Sequence, residues 1–229
     1  MVLILFPTRK LGFRIARSLS DAGYGTYLFV QSEADMTHFS RLRGLSEENV
    51  ITKQVSAPLP DFWDNIDLSL RETITQARVI IYFIGSDFAK LKVTGQDKEW
   101  GINPTNSAQI RLSFVEFVLS KLAAKGKSLW FNLGTGRHEK SEAGEIFCYT
   151  RYGLTGLGKA FEITPSLRNF EVISICLTYL CNRANGSAPA HCPNCVTEEL
   201  NVGDQPLTRE SDLVPFLLRR IGKLFDEVH

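Results

Sequence analysis

Val2-Leu3-Ile4-Leu5-Phe6, then Pro7-Thr8-Arg9-Lys10, then Leu11, Ile15, Leu19 and Ala22 at helical spacing: this opening stretch decides how the chain folds. The first run is wholly apolar, as a strand covered on both faces must be. The last part has one apolar stripe, as an amphipathic helix must have. Gly23 and Gly25 then stop that helix. The same strand-then-helix unit recurs down the chain. Thr26–Val30, Val50–Val55, Val79–Ile84, Ser128–Leu133 and Phe170–Cys176 read as further strands. Asp35–Leu42, Ser107–Leu122 and Ile146–Ile163 read as helices, and Trp63–Thr75, after Pro58 and Pro60, as an amphipathic segment. Asn182–Gln205 reads as a long loop, and Ser211 as the cap of a last helix, Asp212–Phe225.

Strict alternation of apolar strands with helices predicts an α/β fold: a single doubly wound, Rossmann-like parallel sheet of about six strands, with helices on both faces. Internal repeats and Gly- or Ser-rich linkers are absent from the sequence, so residues 1–229 are expected to form one domain. With 26 Lys and Arg against 25 Asp and Glu, the net charge of +1 gives no broad basic face for nucleic acid. No apolar run approaches the roughly 18–20 residues of a membrane span. The opening apolar run is too short for a signal peptide, and the five cysteines are an odd number, unlike a secreted disulfide framework. A cytoplasmic protein that binds neither membrane nor nucleic acid is expected.

The order of elements resembles the short-chain dehydrogenase/reductase family over nearly the whole chain. That family opens with T-G-x-x-x-G-x-G, and Leu5-Phe6-Pro7-Thr8-Arg9-Lys10-Leu11-Gly12 occupies those places. Gly12 alone survives of the three glycines, Phe6 and Lys10 standing for the other two. The family's glycines let backbone approach a pyrophosphate with no Cβ in the way. Phe6 and Lys10 are therefore expected to narrow or fill that space. Arg9 matches a position that is often basic in NADP-dependent members. The resemblance thus implies Thr8, Arg9, Lys10 and Gly12 as the residues nearest a cofactor phosphate, with Gly85, the surviving glycine after the fourth strand, beside them. Where NAD users place a ribose-binding acid, this chain has Val30-Gln31-Ser32, so the acid is absent or displaced to Glu33.

The family's catalytic group is Asn, Ser, Tyr and Lys. Tyr is the acid/base, Lys lowers its pKa, and Ser polarises the carbonyl. By resemblance Asn106 takes the Asn place. Thr135, after Asn132-Leu133-Gly134, offers the hydroxyl. Two registers exist for the Tyr and Lys. One sets Phe147 and Arg151 there, on the Ile146–Ile163 helix, and removes the proton donor; Tyr149 lies nearby and could substitute. The other sets Tyr152 and Lys159, with six residues between, and is similar to the enoyl-carrier-protein reductases.

These changes together imply a retired or rebuilt active site. The expected function is a scaffold, a partner of a biosynthetic enzyme or a small-ligand binder that needs no cofactor. The alternative is a divergent NADP-dependent carbonyl or enoyl reductase using Tyr152 or Tyr149 with Lys159 or Arg151. Cys192-Pro193-Asn194-Cys195, with Cys181, has part of a zinc-ligand spacing, but His191 is adjacent to Cys192 and ill placed to bind the same ion, so free thiols in the loop are the preferred reading and no metal is assigned. Cys176 reads as core. Trp63, Trp100 and Trp130 read as packing residues, and His38 and His229 show no partner. Ile110, Phe114, Phe117, Val118 and Leu122 carry more apolar surface than one sheet face should need, which points to a homodimer through the Ser107–Leu122 and Ile146–Ile163 helices.

Overall fold

The computed structural model describes residues 1–40, 49–55, 59–84, 106–123, 126–134, 138–140, 146–148, 169–176, 201–202, 205–206 and 210–227. Six strands form one parallel sheet: β1 (Val2–Leu5), β2 (Thr26–Val30), β3 (Val50–Gln54), β4 (Val79–Ile84), β5 (Ser128–Gly134) and, after two short strands, β8 (Phe170–Cys176). Their order is β3-β2-β1-β4-β5-β8. Chain order reverses between β1 and β4, which is the doubly wound pattern expected from the sequence. All four residues of β1 are fully buried, as its continuous apolar run requires at the centre of the sheet.

Alternation along the strands sends side chains to two cores. On one face, Val2, Ile4, Val79, Ile81, Leu129 and Phe131 pack under α1 (Arg9–Asp21), α2 (Glu33–Ser40) and the last helix, α6 (Glu210–Asp226). On the other, Leu3, Leu5, Ile80, Tyr82 and Trp130 pack under α3 (Leu59–Asn65), α4 (Leu68–Thr75) and α5 (Asn106–Lys121). Trp63–Thr75 is thus not one segment: Asp67 starts a new helix by accepting a hydrogen bond from the Leu70 N–H at 2.8 Å.

Other expectations are corrected. Ile146–Cys148 is a strand, β7, paired antiparallel with β6 (His138–Lys140), and so does not open a helix. Its β-branched and aromatic side chains suit a strand, and β6 supplies local backbone partners. Residues 149–163, the rest of that expected helix, lie outside the described residues. Helix α6 starts at Glu210, so Ser211 lies inside its first turn and does not cap it; the Ser211 hydroxyl donates to Asp212 Oδ1 at 3.2 Å. The expected loop to Gln205 holds β9 (Asn201–Val202), which pairs with β10 (Gln205–Pro206). Apolar side chains of α5 line the second core. Phe114, Val118 and Leu122 are buried in the second core, and Phe117 stands edge-on to Trp63 with ring centroids 5.3 Å apart.

Candidate functional site

Ligands of doubly wound sheets sit beyond the carboxyl ends of the strands, where strand order reverses. Here that place lies over β1 and β4, and the turn from Leu5 into α1 dominates it. Phe6 adopts φ 53°, the left-handed region that a glycine enters at no cost. The backbone therefore keeps the bend of a glycine turn while carrying a large side chain. The Phe6 ring is 4% exposed and stands edge-on to Phe114 at 5.6 Å. The Arg111 guanidinium, from α5, lies over the same ring at 5.4 Å. Arg111 Nε also donates to Gln31 Oε1 at 2.9 Å, just past the end of β2. Ring, guanidinium and amide together fill the space beside the turn.

Gly12 is retained for packing. A Cβ there would lie 2.3 Å from the Pro7 Cβ, so only glycine lets α1 press against the turn. Thr8 stands at the helix N-cap in extended conformation, and its hydroxyl makes no capping bond. The first turn of α1 holds no acid, while Arg9 and Lys10 are exposed.

Asp35, two residues beyond Glu33, is an acid bonded to the first residue of α1. The Ser32 hydroxyl donates to Asp35 Oδ2 at 2.6 Å, and the Asp35 N–H returns a bond to the Ser32 hydroxyl. Ser32-x-x-Asp35 is a capping box, a signal legible in the sequence that places the start of α2 ahead of its expected position. Asp35 Oδ1 accepts from Arg9 Nε at 2.8 Å. Partial burial works against the charged carboxylate. Hydrogen bonds from Ser32 and Arg9, with the charges of Arg9 and Arg111, outweigh it and hold the carboxyl below its usual value. His38, expected to lack a partner, donates from Nε2 to the Arg9 carbonyl at 3.0 Å. Arg9 is thereby tied to α2 on both its backbone and side-chain sides.

Two buried polar side chains lie on the α5 face. Tyr82 pairs in register with Leu5 on one side and Asn132 on the other. Asn132 is fully buried, and its Oδ1 accepts from Trp130 Nε1 at 2.8 Å. The Tyr82 hydroxyl is buried and has no hydrogen-bond partner among the described residues. Burial pushes its phenol well above the ordinary value, with Arg111 opposing, so the hydroxyl stays protonated. Neither Tyr82 nor Arg111 was expected at the site. Arg111 belongs to a polar-apolar pattern that any surface helix shows, and only the fold brings it to Phe6.

Of the remaining expected residues, Asn106 is the first residue of α5. Gly85, Thr135, Tyr149, Arg151, Tyr152, Lys159, Cys181, His191, Cys192, Cys195, Trp100 and His229 lie outside the described residues. Phe147 falls on β7 and not on the helix expected for it. Among the described residues there is no metal-binding group of His, Cys, Asp and Glu, and no helix is long and apolar enough to cross a membrane. A separate hollow of about 380 Å³ lies at the opposite end of the sheet, lined by Lys127, Glu171, Arg220 and Glu227. Lys127 pairs there with Glu227 and Arg220 with Glu171, and Lys223 adds a further positive charge.

The fold is that of a doubly wound α/β protein. Solved structures similar to it include one named as a short-chain dehydrogenase/reductase from Sinorhizobium meliloti 1021, at 20% identity and TM-score 0.45, covering 76% of this chain and 78% of that one. A short-chain oxidoreductase from Pseudomonas aeruginosa PAO1, described as containing an atypical catalytic center, is 14% identical at TM-score 0.48, covering 76% and 68%. One named as a short-chain alcohol dehydrogenase from Burkholderia multivorans is 12% identical at TM-score 0.48, covering 82% and 86%. At such identities the likeness concerns the fold alone. No protein-family model matches the chain, and no curated protein matches it in sequence.

The dinucleotide implied by the family resemblance can be tested against the turn itself. A pyrophosphate cradle needs bare backbone at its first two glycines. This turn has a phenylalanine ring under a guanidinium at the first and a lysine at the second, so the residues present do not fit that group.

Proposed function

We propose that this chain is a short-chain-dehydrogenase-like protein without dinucleotide-dependent hydride transfer, serving in the cytoplasm as a scaffold, partner or small-ligand binder in a metabolic or biosynthetic pathway. The observation that carries this reading is Phe6, held in a glycine conformation with its ring buried beneath Arg111. A cofactor phosphate would have to displace both, and Arg9, the residue best placed to reward it, is already paired with Asp35. Calorimetry with NADPH and NADH tests the reading. No binding in the micromolar range is expected; a micromolar or tighter constant, about 8 kcal/mol or more, would overturn it. The simplest partner to test is a second copy of the chain, by light scattering at high micromolar concentration.

One observation favours a second reading, a divergent NADP-dependent carbonyl or enoyl reductase. The first turn of α1 carries Arg9 and Lys10 with no acid, at the positive end of the helix dipole. In this reading Tyr152 or Tyr149 is the acid, with Lys159 or Arg151 beside it. Turnover of carbonyl or enoyl substrates with NADPH, lost by roughly 10²-fold or more in Tyr152→Phe, would establish it with Tyr152 as the acid.

A further inference from the structure

We propose that the hollow at the amino ends of β5 and β8 is a binding site for a small monocarboxylate with an apolar body, and that Lys223 receives the carboxylate. This goes beyond the reading above and is independent of it, because the hollow lies at the end of the sheet opposite the Phe6 turn. The space itself is present: about 380 Å³, lined by residues from the start of β5, the start of β8 and the last two turns of α6. Small-molecule sites have volumes of this order. Arg220, Lys223, Leu224 and Glu227 follow one another at helical spacing, so a single stripe of α6 faces the hollow.

The charges select the ligand. Three cations line the hollow, Lys127, Arg220 and Lys223, against two carboxylates, Glu171 and Glu227. Lys127 Nζ donates to Glu227 Oε2 at 2.8 Å, and Arg220 pairs with Glu171. Lys223 has no ion pair or side-chain hydrogen bond among the described residues, so one positive charge is left over. A single carboxylate matches it. A cation meets like charge at Lys223, and the second charge of a phosphate monoester finds no spare partner. Glu227 already shows the preference of these cations. A hydrogen bond from Lys127, then the charges of Lys127, Lys223 and Arg220, hold its carboxyl below the usual value. Both ion pairs are on the surface, and exposed pairs contribute little to stability, so they can turn toward a ligand at small cost. Between the charges the lining is apolar, from Leu129, Phe170 and Leu224. An apolar body on the carboxylate covers those side chains and gains from leaving water.

The probe is 2-naphthoate, with 2-naphthalenemethanol as the neutral body and acetate as the bare carboxylate. Calorimetry at low ionic strength is expected to show saturable binding of 2-naphthoate, weaker binding of the other two, and loss of affinity as salt is added. Lys223→Gln is expected to weaken 2-naphthoate by roughly threefold or more. Glu227→Gln releases Lys127 and is expected to tighten it. Lys53→Gln removes the same charge from β3, at the other edge of the sheet, and is expected to leave binding unchanged. The proposal is overturned if 2-naphthoate does not bind the wild type saturably, if Lys223→Gln binds it as the wild type does, if Lys53→Gln loses as much as Lys223→Gln, or if Glu227→Gln weakens it. NADPH binding would overturn the non-catalytic reading and leave these comparisons, and the site they test, untouched.

Discussion

Replacing Phe6 by glycine and by alanine gives a sign that ordinary propensity does not. Both variants lose a ring that is 4% exposed, and emptying such a site costs about 3–5 kcal/mol. The alanine variant must still hold φ 53°, a left-handed conformation that costs a residue with a Cβ roughly 1–2 kcal/mol. The glycine variant is relieved of that strain but gains about 0.4–1 kcal/mol of unfolded-chain entropy to lose. The difference leaves Phe6→Gly more stable than Phe6→Ala by about 0.5–1 kcal/mol, although glycine is usually the less stable of the two. Urea denaturation of both variants, at equal slope, measures it directly. An alanine variant as stable as the glycine variant, or more so, would refute the claim that this turn is strained.

Three further outcomes follow from the same geometry. Gly12→Ala should destabilise by roughly 1–3 kcal/mol, against the usual gain of alanine in a helix, because its Cβ would meet Pro7 at 2.3 Å; chemical denaturation checks it. Trp130→Phe should cost about 1–3 kcal/mol beyond its lost volume, because it removes the N–H that satisfies the fully buried Asn132 Oδ1; comparing its melting temperature with that of Trp130→Phe/Asn132→Leu, which should recover part of the loss, tests that assignment. Asp35 is held below its usual value in the folded state, so its contribution is present above the unfolded value of about 3.9 and is lost as pH falls through the lower folded value. Asp35→Asn should therefore lower stability at neutral pH and flatten the acid limb of a stability-against-pH curve.

The fold was legible where burial is two-sided. Val79–Ile84 reads correctly to the residue because a strand covered on both faces must be apolar throughout, and Thr26–Val30 and Phe170–Cys176 match to the residue as well. The misreadings occur where local chemistry competes with periodicity. Ile146-Phe147-Cys148 continues a helical pattern, but its side chains are strand formers and β6 is available to pair. The start of α2 was set by Ser32 and Asp35, whose capping exchange is a side-chain event that apolar spacing does not show. At the site, Phe6 could be read as an obstruction from its place in the glycine pattern. Its cover could not, because Arg111 reaches it only once α5 is laid across the sheet. Asp35 and Tyr82 were hidden for the same reason: one is a helix residue and the other a strand residue until the fold makes them neighbours of a turn.

The face of the sheet roofed by α1 is closed by α6. Tyr24, just past α1, stacks on Phe225 at 5.6 Å, and Leu213, Leu217 and Ile221 share a core with Leu11, Ile15 and Leu19. Between Asp21, where α1 ends, and Glu210, where α6 begins, the ribosome must make most of the protein. At ~5–20 residues per second that interval is on the order of 10–40 s. For all of it, the first helix and the opening strands wait with one greasy side uncovered. Vectorial synthesis therefore exposes this chain to chaperone capture or self-adhesion through that side, and slowing translation should lengthen the exposure in proportion.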